Sequence, residues 1–262
     1  MPLASDQCVC LRRVEFSETS QILHLLSRQH GLLKLIAKGA HRRTKAGASK
    51  FDGGVDLLDV GDAVFTDDLN REMGTLTEWK LRDGHLPLRE NLRTLYLAEY
   101  AMEITLLQLE NRDPHPQLFD ELIHLLDELA TPRLEEAFLA FQLQLLRLTG
   151  HLPQFTQCAS CGKSPAERQP VFFSPGRGGL ICHDCESSAP DRIHFDPRLL
   201  RLVQGMLHFP NRLPRLSRAQ TDPINRLIGE YLMHTLSRRL RMWRYVIPHA
   251  QPRPHDRRLP VG

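Results

Sequence analysis

"CVCLRRVEFSETSQILHLLSRQHGLLKLIAKGA", residues 8 to 40, holds three short apolar segments with partial two-residue alternation, broken at His30-Gly31. That alternation marks half-buried strands. "VDLLDVGDAVF" (55 to 65) and "LTEWKL" (76 to 81) continue it after a basic loop and after the Asp67 to Gly74 break. Five strands within roughly eighty residues predict a small closed barrel of the OB type. "SQILHLLSRQ" would also make an acceptable amphipathic helix.

From Pro87 the period becomes helical. Leu95, Ala98, Met102, Leu106 and Leu109 line one face of a first helix, and Leu118, Leu122, Leu125 and Leu129 one face of a second. "TPRLEEAFLAFQLQLLRLTG" predicts a third, with Thr131 as N-cap, Pro132 at the first helical position and Gly150 as the stop. "DPRLLRLVQGMLHFP" and "DPINRLIGEYLMHTLSRRLRMWRYV" both open on Asp-Pro and predict two more. The expected class is α+β and multidomain: an OB-fold DNA-binding domain over 1–82, a helical domain from 83–150 and 191–247, a zinc-binding module over 151–190, and a disordered Pro-rich tail over 248–262.

The module rests on cysteine spacing. Cys158-x2-Cys161 and Cys182-x2-Cys185 are separated by twenty residues. A two-residue gap turns both thiolates of a pair toward one point, Gly162 frees the backbone to turn, and two such knuckles complete a tetrahedral site for one Zn²⁺. All-cysteine shells are closed and structural. A thioredoxin-like motif would need one pair on a βα turn, whereas "PVFFSPGRGGL" between these pairs reads as a hairpin. Four of the six cysteines fall within 28 residues, which argues against a secreted disulfide scaffold. Cys8 and Cys10 alternate on a strand and are expected as buried thiols.

The net charge of +3 conceals segregation, with residues 1–80 neutral, 81–190 at −6 and 191–262 at +9. Thr19 to Phe51 carries Arg28, Lys34, Lys38, Arg42, Arg43, Lys45 and Lys50 and no acid. On an OB-type barrel that strand and loop, with Gly39 beside Lys38, would follow the phosphates of a single strand, although a basic loop also serves as plain solvated surface. Arg238, Arg239, Arg241 and Arg244 beside Trp243 on the last helix could hold phosphates or an acidic peptide. No apolar run is long enough to span a bilayer and the first ten residues lack a secretory pattern, so a cytoplasmic protein without membrane partners is expected. No phosphate-binding loop, H-E-x-x-H or G-x-S-x-G occurs, and nothing nominates an active site.

"FSETSQILHLLSRQHGLLKLIAKGAHR", residues 16 to 42, closely resembles the N-terminal segment of the bacterial RecO family of DNA repair and recombination mediators, with its A-K-G-A element and basic loop. The order of barrel, helices and embedded four-cysteine module is similar as far as about Val246. The resemblance implies a non-enzymatic protein associated with the nucleoid. Such a protein binds single- and double-stranded DNA and anneals complementary strands. With RecR and RecF it loads RecA onto DNA coated with single-strand-binding protein, whose acidic C-terminal tail docks on the helical domain. By position, Lys38 and Gly39 fall in the shared element, Arg42, Arg43 and Lys45 in the basic loop, and the four paired cysteines in the metal module. The acidic stretch after Asp52 and the Pro-rich tail depart from the family pattern. A zinc-ribbon adaptor that docks acidic proteins and touches DNA incidentally is the alternative expectation.

Overall fold

A computed structural model describes residues 3–40, 50–51, 53–66, 72–165, 169–210 and 212–247. The tail expected to be disordered, 248–262, lies outside the described residues, as do Arg42, Arg43 and Lys45.

The strands β1 (Leu3–Ser17), β2 (Ser20–Ser27), β3 (Gly31–Ala37), β4 (Val60–Thr66) and β5 (Gly74–Asp83) close into a barrel in the order β1-β2-β3-β5-β4. Only β3 and β5 run parallel; the other pairings are antiparallel. The ambiguous segment is strand β2, because Leu23 and Leu25 point into the barrel with Leu33, Leu35, Phe65 and Trp79, and pairing partners flank it on both sides. The alternate residues Leu26 and Leu32 join Leu11 in the core of the helical region, so the outer barrel wall and the helices share one core. Asp6 fastens the β2–β3 turn, accepting from Gln29 N at 2.6 Å, from Ser27 Oγ and from His30 Nδ1 at 3.2 Å. Partial burial pushes its carboxyl upward, yet these donors hold it below the usual range. Because one His30 nitrogen faces both Ser27 and Asp6, the trio is a turn clasp rather than a Ser-His-Asp relay.

The helical region comprises α1 (Leu86–Arg89), α2 (Leu92–Gln108), α3 (Pro116–Leu129), α4 (Leu134–Leu148), α5 (Pro197–His208), α6 (Arg218–Thr235) and α7 (Trp243–Val246). Asn91 and Asp196 cap α2 and α5, each accepting a backbone N–H two residues on. Gly150 ends α4 at φ +75°, with His151 N–H donating to Leu146 O at 2.7 Å and Gly150 N–H to Arg147 O, a Schellman motif. The α3 stripe is buried as expected, but α2 is surrounded: Leu97, Tyr100, Ala101 and Ile104 are buried, while Leu95 and Leu106 are only partly so.

Two helix starts differ from expectation. Thr131 does not cap α4; its hydroxyl donates to Glu128 O and accepts from Arg133 N, which delays the helix to Leu134. Asp222-Pro223 does not open α6, because Ser217 and Gln220 form a capping box upstream and leave the exposed Pro223 inside the helix. The helix then stops at Thr235, where Ser237 turns left-handed at φ +49°. The acid-rich middle holds this basic end in place. Glu103 accepts from the N–H groups of Arg241 and Met242 at 2.8 and 2.9 Å, and Glu135 orients Arg93 in a two-pronged pair at 2.8 and 2.7 Å, from which Arg93 donates to Val246 O at 2.5 Å. Glu136 accepts from Leu216 N at 3.0 Å.

Candidate metal centre and nucleic-acid interface

The stretch between α4 and α5 forms the antiparallel pair β6 (Val171–Ser174) and β7 (Gly179–Cys182), with β8 (Ile193–Phe195) on the outer side of β6. The expected hairpin is present, closed through Pro175 to Gly178. Gly162 takes φ +75° and donates to Cys158 O at 2.8 Å, folding the first knuckle back on itself. The second knuckle runs from the end of β7 into a 3-10 turn, His183–Ser188.

One sulfur from each of Cys158, Cys161, Cys182 and Cys185 lies within 4.8 Å of the other three. The Cys161–Cys182 sulfur separation of 3.8 Å matches the edge, about 3.8 Å, of a tetrahedron with 2.3 Å metal–sulfur bonds. It is far beyond a disulfide bond, and all six cysteines are free thiols. Burial pushes the Cys158 thiol up, but N–H groups of Cys182, Cys161 and Ser160 bring it down to about 6. The thiols of Cys182 and Cys161 push Cys185 up to about 12. Four sulfurs that hold one another's charge in this way can take a soft divalent cation, which supplies the missing positive charge. His183 faces Glu186 instead, 3.5 Å away. Cys8 and Cys10 lie inside the barrel, where burial raises both thiols.

The second site is the outer face of β1, β2 and β3. A register shift after Cys10 sends Leu11 to the helical core and brings Arg12 outward. Arg12, His24 and Lys34 then form one cross-strand row, and Val14, Ile22 and Ile36 the next. Burial holds His24 below its usual range, with the charges of Arg12 and Lys34 adding to that effect. Beyond the apolar row, Phe16, Ser20, Ile36, Lys38, Gly39 and Lys50 line an open cavity of about 400 Å³. Phe16 is 62% exposed. A basic row, an apolar row and an exposed ring beside two lysines suit phosphates and bases together.

Of the residues predicted for this role, Lys34, Lys38, Gly39 and Lys50 come together on or beside this face. Lys34 carries an exposed partner, Glu72, at 2.9 Å, which an arriving phosphate can replace. Gly39 and Lys50 both line the cavity. Arg28 sits at the opposite end of β2 and pairs with Asp120 of α3 at 2.9 Å, which ties the barrel to the helices. Arg12, His24 and Phe16 went unpredicted. The facing of Arg12 and Phe16 depends on the β1 bulges, and the only sequence signal was an Arg12-Arg13 pair in a strand.

The C-terminal arginines do not share a helix. Arg238, Arg239 and Arg241 lie in the turn pinned by Glu103. Trp243 is half-buried against α6, where a Cβ on Gly229 would lie 2.6 Å from its Cδ1 and closer still to Nε1, so it offers no free stacking face. Arg244 lies over Tyr245, 4.7 Å from the ring centre. Arg238 and Arg241 line a groove of about 530 Å³ between barrel and helices with Arg12, Arg13 and Arg89 and with the carboxylates Asp56, Glu99 and Glu103, over an apolar floor that includes Met102 and Leu106.

Among the described residues, no helix is long and apolar enough to cross a membrane. A family model described as "Recombination protein O N terminal" matches residues 1–85, and one described as "Recombination protein O C terminal" matches 89–244. A "DNA repair protein RecO" of Rhodopirellula baltica is 32% identical over 216 residues, covering 82% of this chain and 78% of its own. One of Anaeromyxobacter dehalogenans is 30% identical over 243 residues, covering 91% and 93%. One of Pelotomaculum thermopropionicum is 28% identical over 252 residues, covering 94% of each.

Proposed function

Because the chain belongs to the RecO family, and so to the proteins of DNA repair and recombination, we propose that it works by binding rather than by catalysis. It holds single- and double-stranded DNA on the outer face of β1, β2 and β3 and anneals complementary strands. With RecR and RecF it loads RecA onto DNA coated with single-strand-binding protein, at the nucleoid. One Zn²⁺ on Cys158, Cys161, Cys182 and Cys185 keeps the inserted module folded. The observation that carries this reading is the continuity of the Arg12–His24–Lys34 row with the Phe16, Lys38 and Lys50 cavity.

The groove between barrel and helices can take the acidic tail of single-strand-binding protein on Arg12 and Arg238, since Arg13 and Arg89 are held by Asp56 and Arg241 by Glu103, with an apolar floor for its side chains. The same groove favours the second reading, an adaptor for acidic proteins. The two part on annealing. The chain is expected to accelerate pairing of complementary strands at least about tenfold over the spontaneous rate, an effect of about 1.4 kcal/mol on the barrier. An adaptor would leave the rate at its spontaneous value, and that result would remove the DNA reading.

His24 adds a pH dependence. A phosphate between Arg12 and Lys34 relieves their repulsion and favours the imidazolium, so the complex binds more protons than the free chain. Affinity for DNA is therefore expected to rise as pH falls through the ordinary histidine range near about 6.5. Titrations of wild type and His24→Gln across that range check this; an equal rise in both would exclude His24 as its source.

A further inference from the structure

Between Asp196 and Asp222 the chain carries Arg198, Arg201, Arg212, Arg215 and Arg218 and no acid. Several other exposed arginines have a carboxylate: Arg13 has Asp56, Arg28 has Asp120, Arg82 has Asp62 and Arg192 has Glu186. Arg218 pairs with Glu135 and Asp222. Arg198, Arg201, Arg212 and Arg215 are exposed, and among the described residues their guanidiniums make no ion pair. The Asp196 carboxylate caps α5 through the backbone N–H of Arg198.

Placement concentrates these charges. Leu200, Val203 and Met206 bury one stripe of α5. Arg198, Arg201, Gly205 and His208 fall on the opposite stripe, all exposed, at the i, i+3, i+7 and i+10 spacing of a single face. A Cβ on Gly205 would meet open space, so nothing stands between the arginines and the helix end. There Phe209 is 54% exposed and held edge-on by His208 at 4.5 Å. Arg212, whose N–H donates to Phe209 O at 3.0 Å, and Arg215 follow before α6 begins.

We infer that α5 and the segment after it form a second nucleic-acid surface, separate from the barrel, which takes the phosphates of a single strand on Arg198, Arg201, Arg212 and Arg215 and a base on Phe209. An acidic peptide suits it less. Such a tail needs an apolar slot for its side chains, and the cavity beside α5, between Leu143 and Met206, holds only about 10 Å³. Two separate phosphate faces on one chain would let it hold both strands that it pairs. The inference goes beyond the proposed function and does not depend on the barrel face.

The test is the stoichiometry of binding to oligo(dT) of roughly ten nucleotides, short enough to occupy one site. Wild type is expected to bind two per chain, and R198A/R201A/R212A/R215A one. The Lys34, Lys38 and Lys50 triple alanine variant is expected to keep the α5 site. The four-arginine change is expected to flatten the log-log salt dependence at the α5 site by roughly 3, and four lysines in its place to restore most of it. Phe209→Ala is expected to weaken the site about fivefold or more, consistent with about 1 kcal/mol or more per stacked base. A single oligonucleotide per wild-type chain, with no change in the four-arginine variant, would overturn the inference. So would displacement from this face by poly-glutamate as readily as by oligo(dT), which would make it a dock for acidic protein. One oligonucleotide per wild-type chain, lost in the four-arginine variant and kept in the lysine variant, would count against the proposed function and leave the α5 surface standing.

Discussion

Stripping the metal is expected to melt the inserted module and loosen the helices beneath it. Structural zinc sites of this type contribute about 10 to 16 kcal/mol of apparent binding free energy at neutral pH, more than a small hairpin gains from its own packing. The module's inner residues also belong to the main core. Phe155 stacks on Phe173 at 5.8 Å, Phe173 meets Tyr231 edge-on at 6.0 Å, and Gln204 Nε2 donates to Phe155 O at 2.6 Å. Losing the knuckles therefore frees aromatic surface from α5 and α6 as well. Metal analysis is expected to give one zinc per chain. Thiol titration of the native protein is expected to find no fast-reacting cysteine. After chelation four should react, Cys158, Cys161, Cys182 and Cys185, while Cys8 and Cys10 stay protected in the barrel until it unfolds. Cys161→Ser should lower the melting temperature as chelation does. Four fast thiols in the native protein, unchanged by chelator, would contradict a closed four-thiolate site.

Replacing Gly31 by alanine is expected to cost roughly 2 to 5 kcal/mol, from the left-handed backbone and from overpacking together. Gly31 sits at φ +69° in the β2–β3 turn. A Cβ there would lie 2.6 Å from Asp113 N and 2.5 Å from its carbonyl carbon, and closer still to the oxygen. That backbone cannot yield cheaply, because Arg112 N–H donates to Leu32 O at 2.9 Å and Asn111 bridges Leu32, the seam between barrel and helices. Gly178→Ala is the control: it shares the left-handed φ, +71°, but its Cβ would meet open space, so about 1 kcal/mol is expected. Denaturant unfolding of both variants separates backbone strain from collision. Equal small losses would show that the seam can open without cost.

The parts that were legible in the sequence are those fixed by neighbours in the chain. The cysteine knuckles, the hairpin between them, the Asp196 cap and the Gly150 stop each depend on a few adjacent residues, and the five strands on simple alternation. The misread parts depend on distant groups. Trp243 cannot continue α6 because Glu103 fixes the backbone at Arg241 and Met242, some 139 residues away in the chain. Arg28 resembled the other basic residues of its acid-free interval until Asp120 of α3 claimed it. The Arg12–His24–Lys34 row was hidden because one bulge decides which way Arg12 points. Part of the −6 and +9 segregation is internal, as Glu103 and Glu135 hold Arg241 and Arg218, and only the remainder is available to a polyanion.

The claim that the β1–β3 face holds DNA is tested most directly by the salt dependence of single-strand binding in wild type and in the Lys34→Ala, Lys38→Ala, Lys50→Ala triple variant. Five to seven neutralised phosphates predict a log-log slope of roughly −3.5 to −5 for the wild type, and loss of three should flatten it by roughly 2. A variant that melts like the wild type and keeps the full slope would contradict the assignment of DNA to this face.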